Sequence, residues 1–296
     1  MAFLLAASLA AFAVVRVMPG DPAETMLVAQ GLAPSPEQVA ALRAAHGMDA
    51  PVWRQFVTWL GRLLQGDLGT SLRSGEPVLQ GLLMRLPVSL TIGLGGLLTG
   101  AALAFALGFA SAAGMRGAEA ASRALGLLAQ AVPAFCLAIV VIWIFGVELR
   151  WLRPFSGGAF ERVVLPLIVV ALYAAGGLVR VATHAIAAAA ATPWFRAVRA
   201  KGLSSRRALW LHAGPFGVLA LLAALRAEAA WVIGGTAVIE VVFASPGISA
   251  WVVESIALRD YPVLQAYIVT VAAWMVLVRL AVDQLSLRLD PRREAP

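Results

Sequence analysis

The 296-residue sequence predicts an all-α integral membrane protein. Three observations carry that prediction. The chain is 61% hydrophobic and only 13% charged, with a mean hydropathy of +0.85, whereas soluble globular chains run near 45–50% apolar and about 25% charged. A single soluble core cannot hide such an excess, because it still needs a polar shell. The apolar residues fall in runs of membrane-crossing length. The basic residues collect between those runs. A net charge of +7 in a soluble protein would point to nucleic acid; here orientation in a bilayer is the simpler use of it. The lone cysteine, Cys136, excludes an internal disulfide framework and a multi-cysteine metal site.

A crossing helix needs about 20 mainly apolar residues. The runs of that kind are Ala2–Val17, Pro87–Ala113, Ala124–Leu149, Val163–Val179, Ala213–Phe243 and Val263–Leu285, which predict about six spans. The first is the shortest and stops at Arg16 and Pro19. A cleaved secretory signal is the other reading of it, since Ser8-Leu9-Ala10 offers small residues. The run lacks a basic lead-in, however, and its removal would leave five spans.

Lysine and arginine in the short loops set the orientation. Arg116 and Arg123 follow the second span. Arg196, Arg199, Lys201, Arg206 and Arg207 follow the fourth, and Arg288, Arg292 and Arg293 lie in the tail. These segments share one side of a six-span arrangement. The opposite side holds residues 19–86, where Asp21, Glu24, Glu37, Asp49, Asp67 and Glu76 offset five arginines. The expectation is a single transmembrane domain over residues 1–296, with both termini cytoplasmic. Segment 19–86 is then extracytoplasmic, and loop 184–212 is cytoplasmic.

The outer segment carries ordered signals. Pro19-Gly20-Asp21-Pro22 reads as a turn. Ser35-Pro36-Glu37-Gln38 reads as a helix start, with Ser35 as N-cap and Gln38 closing a capping box; Gly47 can end that helix. A second amphipathic stretch, about Pro51–Gln65, sets Val52, Phe56, Trp59, Leu60 and Leu63 on one stripe. Two readings fit the stripe: packing on the bundle or outer interface, and a docking platform for an external partner. Gly66-Asp67-Leu68-Gly69 closes it.

In the inner loop, Thr192 is placed to cap a helix opening at Pro193 and running through Lys201. Gly202 is placed to end it in a left-handed conformation. Ser204 then caps a second short helix, Ser205–His212. A basic loop resting in lipid headgroups would explain the charge, but not the order of cap, helix, glycine, cap and helix.

The order Arg196-Ala197-Val198-Arg199-Ala200-Lys201-Gly202, nine residues, then His212-Ala213-Gly214-Pro215 resembles the cytoplasmic coupling loop of permease subunits in binding-protein-dependent ABC importers. Ala200-Lys201-Gly202-Leu203-Ser204 and Leu211-His212-Ala213 are similar to the dipeptide/oligopeptide/nickel branch. So are Pro19-Gly20-Asp21-Pro22, Gly66-Asp67-Leu68-Gly69 with Ser71, and Leu86-Pro87 with Ser89-Leu90. Further along come Val238-Ile239-Glu240-Val241-Val242-Phe243, Ser245-Pro246-Gly247-Ile248, Arg259-Asp260-Tyr261-Pro262 and Leu289-Asp290-Pro291-Arg292. The resemblance runs the whole chain in order. The chain departs from the pattern at Thr183, Ala188 and Gly214, where arginine, an acid and leucine are usual. It departs again at Arg226 and Glu228, where neutral residues are usual.

No local residue set argues for catalysis. The chain has no G-x-x-x-x-G-K-[ST] loop, and its only lysine, Lys201, precedes Gly202 and Leu203. His46, His184 and His212 fall in different segments, which is poor for metal ligation. No catalytic, metal or cofactor site is therefore expected on this chain. The resemblance implies a permease subunit of an importer for short peptides, or for a related small solute such as a nickel complex. It implies a second similar permease, two cytoplasmic ATPases that bind ATP and Mg, and an extracytoplasmic binding protein, at a bacterial inner membrane. It also implies that Arg196, Ala197, Arg199, Lys201, Gly202, His212 and Pro215 meet the ATPase. Glu228 reads as a pathway residue, and Glu240 and Asp260 as gate or loop-capping residues. The rival reading is a stand-alone channel or secondary transporter that needs no ATP; internal repeats would favour it, and no clear repeat relates the halves.

Overall fold

The computed structural model describes residues 2–17, 20–29, 33–45, 47–155, 157–230 and 232–289. The expectations at Pro19 and His46, and those on the tail from Asp290 onward, lie outside the described residues. Every regular element among them is a helix, and the only strand-like pairing is a bridge between Thr70 and Pro77. In chain order, α1 (Ala2–Val17), α2 (Pro22–Ala29), α3 (Pro36–Ala45) and α4 (Val52–Leu64) precede α5 (Val78–Ala112). Next come α6 (Ala118–Ala131), α7 (Ala134–Ile142) with a π-helical turn at Trp143–Glu148, and α8 (Ala159–Ala190). A short α9 (Pro193–Ala200) leads to α10 (Ser205–Ala208), which passes through a π-helical turn at Leu209–Ala213 into α11 (Gly214–Ala230). Finally come α12 (Val232–Gly235), α13 (Ala237–Val242), α14 (Ile248–Ala257) and α15 (Tyr261–Leu289).

Among the described residues, four helices are long and apolar enough to cross a membrane: Val78–Ala112, Ala159–Ala190, Ser205–Ala230 and Tyr261–Leu285. A fifth crossing is available if α6 and the α7 stretch count as one span. The six-span count is thus not reproduced by length and composition alone. The first expected span is a helix as read, but at 16 residues it is shorter than the usual crossing length of about 20. The third, Ala124–Leu149, bends by 109° between α6 and α7. Pro133 explains the bend: it removes a helix donor, and it drives Val132 to φ −105°, ψ 121°. The carbonyl of Val132, which lies at the break, accepts a hydrogen bond from the Tyr173 hydroxyl of α8. The fourth expected span, Val163–Val179, extends to Ala159–Ala190, so His184 lies inside α8. In the fifth, Ala213–Phe243, Thr236 is a turn between α12 and α13.

The residues pack as two compact units. One comprises Met1–Pro87 with Pro246–Trp274, the other Val88–Ser245 with Met275–Pro296. In the first unit, Phe12 of α1 meets Phe56 and Trp59 of α4 at ring-centroid distances of 5.1 and 5.9 Å. Val52, expected on the same stripe, is 60% exposed. The capping box forms as expected: Ser35 N donates to Gln38 Oε1 and Gln38 N to Ser35 Oγ, each at 3.2 Å. Val15, Val252 and Leu264 make a small core beside Tyr261 and Tyr267.

In the second unit, Ile92, Leu137, Val141, Leu165, Val169, Ile239 and Phe243 form the main core. Here α5 and α8 approach closely. A Cβ at Gly100 would lie 2.6 Å from the Ala171 carbonyl oxygen, so only glycine fits. Large apolar side chains such as Leu98, Leu277 and Leu280 remain exposed on the long helices, as a lipid-facing surface requires.

Candidate functional site

The loop after α8 is built around one buried aromatic ring. Phe195 is 4% exposed and packs with Ile186, Ala189, Ala208, Leu209 and Ala213, with Phe105 and Phe109 beside them. Val198, one turn on, packs against the same cluster. Phe195 and Val198 therefore fix one face of α9. Arg196, Ala197, Arg199, Lys201 and Gly202 are all exposed. Arg196, Arg199 and Lys201 form no ion pair among the described residues. The loop thus presents an eight-residue helix, pinned on one side and basic on the other.

Its ends follow the expected grammar with one exception. Pro193 takes the first helical position, and Thr192 has the extended N-cap backbone. The Thr192 hydroxyl does not cap α9, however; it donates back to the Ala189 carbonyl at 2.6 Å. Gly202 has φ +92°, a region that costs other residues steric strain. Nothing lies within 4 Å of a Cβ placed there. The glycine is needed for its backbone conformation, not for space. Ser204 holds an N-cap conformation without a side-chain cap. The expected second short helix, Ser205–His212, is instead the start of a continuous helical run to Ala230. His212 is half-buried in that run and Pro215 is exposed.

The acidic residues separate into three kinds of environment. Glu228 is exposed on α11 and lines a recess of about 220 Å³ in the second unit. Glu240 is fully buried, and its Oε1 accepts the Thr236 hydroxyl at 2.7 Å. Asp260 is 2% exposed in the first unit. Its carboxylate accepts the Ser71 hydroxyl at 2.5 Å and the Leu72 N–H at 3.1 Å. Arg73 and Glu254 pair beside it. Close by in sequence, the Arg259 guanidinium takes the space that a Cβ at Gly20 would fill, 3.4 Å from the Thr25 hydroxyl. Asp260 therefore clasps the turn after Gly66-Asp67-Leu68-Gly69 onto the start of α15.

Three residues that pack or pair beside these positions carried no role of their own in the sequence. Phe195 was legible as an apolar partner of Val198 at i,i+3. Asp283, which pairs with Arg226 at 2.9 Å, and Tyr173, which serves Val132, are distant in sequence from their partners. Their only signals were an acid in the last apolar run and a tyrosine in the fourth.

Known proteins match the chain along its length. The family described as "Binding-protein-dependent transport system inner membrane component" matches residues 102–295, and the corresponding N-terminal family matches residues 1–93. The dipeptide transport system permease protein of Lactococcus lactis subsp. cremoris is 30% identical over 95% of this chain and 91% of its own length. The glutathione transport system permease protein of Salmonella typhimurium is 28% identical over 97% and 94%. A putative peptide transport system permease protein of Brucella abortus is 31% identical over 98% and 94%. With several crossing helices, a pinned basic helix between two of them and a family match over most of its length, the chain belongs to the family of inner-membrane components of binding-protein-dependent transport systems.

Proposed function

We propose that this chain is a permease subunit of an ABC importer and forms half of a translocation pathway for short peptides. It works beside a second similar permease, two cytoplasmic ATPases that bind and hydrolyse ATP with Mg, and an extracytoplasmic binding protein. The loop containing α9 faces the cytoplasm, as do both termini, because the basic loops gather there. The peptide cargo is inferred from the names of the relatives, glutathione being itself a small peptide.

The observation that carries the reading is the geometry of α9. A lever must be held at its base and free at its grip. Phe195 supplies the base. Arg196, Arg199 and Lys201 supply the grip, their charges unspent within the described chain. A cleft on the ATPase can meet them with carboxylates or helix-end carbonyls. Closure of the ATPase pair on nucleotide then pulls α9, and α8 and α11, which flank it in the chain, move with it. Gly202 lets the chain reverse tightly enough for α9 to remain a short separate lever.

Gentle detergent extraction from the native membrane, followed by identification of every co-purifying protein, tests this reading. The expected result is recovery of an ATPase and a second permease, with the ATPase lost when Arg196 and Arg199 are both replaced by glutamate. Recovery of this chain alone, with solute transport that needs no ATP after reconstitution, would overturn it.

A further inference from the structure

Glu228 occupies a setting unlike that of the other acidic residues in the long helices. The recess it lines is walled by Gly93 of α5, Tyr173 and Gly177 of α8, and Val232 and Thr236 beyond α11. The walls are mainly apolar, and Glu228 is the only charged residue among the described residues lining it. Glu228 has neither a hydrogen bond nor an ion pair among the described residues. Its neighbour Arg226 is engaged elsewhere, with Asp283 of α15. Arg180, one turn beyond Gly177 on α8, lines no part of the recess and forms no ion pair with Glu228. Glu240, by contrast, is buried and held by Thr236.

Glu228 lies in the last turn of the apolar run Ser205–Ala230, and an ionised carboxylate in such a run is costly unless it faces water or a cation. Exposure on α11 shows that this chain does not bury it. A carboxylate at the edge of an apolar recess, with an aromatic ring among the walls, matches an ammonium group. The carboxylate supplies a charge-assisted hydrogen bond, and a ring face attracts the same cation. A volume of about 220 Å³ is many times the roughly 10–15 Å³ that one water needs, so an aminoalkyl group fits.

We propose that Glu228 and its recess form a cation subsite in the translocation pathway, which favours cargo carrying a positively charged amine. This rests on the importer reading above and adds the charge class of the cargo to it. The binding protein selects what is delivered; Glu228 then sets how readily a delivered cation crosses.

The test uses the complete transporter in proteoliposomes, with binding protein saturated in turn with radiolabelled lysyl-lysine, alanyl-alanine and glutamyl-glutamate. The proposal expects Glu228→Gln to lower ATP-driven uptake of lysyl-lysine about tenfold relative to glutamyl-glutamate, the scale of one lost charged hydrogen bond. Glu228→Asp should restore most of that ratio. A Glu228→Gln transporter whose three uptake rates keep their wild-type ratios would overturn the proposal and leave the importer reading standing. Failure of the Gln variant to assemble with the second permease, while Glu228→Lys paired with a reversed charge on that partner restores assembly, would also overturn it, because Glu228 would then be an inter-subunit contact. Wild-type vesicles that take up none of the three peptides with ATP would defeat the peptide-importer reading itself, and the proposal with it.

Discussion

The turn at residues 66–74 and the loop at residues 191–204 are both short, polar and glycine-punctuated, yet they treat their polar groups in opposite ways. Around the first, Asp260 is buried and accepts from Ser71 and Leu72, while Arg73 pairs with Glu254. In the second, Arg196, Arg199 and Lys201 are exposed and form no ion pair among the described residues. A buried polar group must be matched inside the molecule, because leaving it unmatched costs about 1–3 kcal/mol or more. An exposed unpaired charge costs the free chain little and is available to a partner. The first arrangement is a clasp that holds the fold; the second leaves its charges available for the ATPase contact proposed above. Residue type alone does not separate the two regions, since both carry arginines.

The largest loss of stability is expected at Asp260. Asp260→Ala strands the Ser71 hydroxyl and the Leu72 N–H, and should cost about 3 kcal/mol, on the scale of a lost buried charged network. The expected readout is a clearly lowered unfolding temperature in detergent, with release of the Ser71 turn to proteolysis. An unchanged unfolding temperature would mean that the clasp is decorative.

Phe195→Ala should cost a similar or slightly smaller amount, about 3 kcal/mol. The loss is local, because the ring packs on the cluster at the end of α8 and the start of the α10–α11 run. Hydrogen exchange should speed up across Pro193–Leu203 and hardly at all in the middle of α8. Uniform acceleration through the second unit would show that Phe195 belongs to the global core and not to a lever base.

The smallest effect on folding is expected for Arg196→Ala combined with Arg199→Ala. Exposed, unpaired side chains contribute little to stability. Thermal unfolding should be unchanged within error, while ATPase recovery on purification falls several-fold. A double variant that unfolds early but retains its ATPase would reverse the assignment of the two regions.

How much of this was legible depends on sequence distance. The capping box at Ser35–Gln38 and the left-handed Gly202 were readable because both are local patterns spanning a few residues. The bend at Pro133 had a local signal as well, but a search for long apolar runs passes through a proline whose neighbours are Val132, Ala134 and Phe135. The extension of α8 past Arg180 was missed because a charge looked like an end. The alanine-rich stretch that follows, Ala185–Ala190, has high helix propensity and nothing to stop it. The Ser71–Asp260 clasp was out of reach, since its partners are 189 residues apart. The recess at Glu228 was equally hidden: its walls come from α5, α7, α8, α11, α12 and α13, and no periodicity in one segment reports on the other five.

Gly202→Val in the assembled transporter is the most direct test of α9 as a lever, through the ratio of peptide taken up to ATP hydrolysed. A β-branched residue is strained at φ +92° by roughly 1–3 kcal/mol, yet open space surrounds the position, so membrane insertion should survive. ATP hydrolysis should persist while uptake falls at least tenfold, because α9 can no longer transmit the pull. Uptake and hydrolysis that stay in their wild-type proportion, at normal expression, would show that α9 is a connecting loop and not the lever.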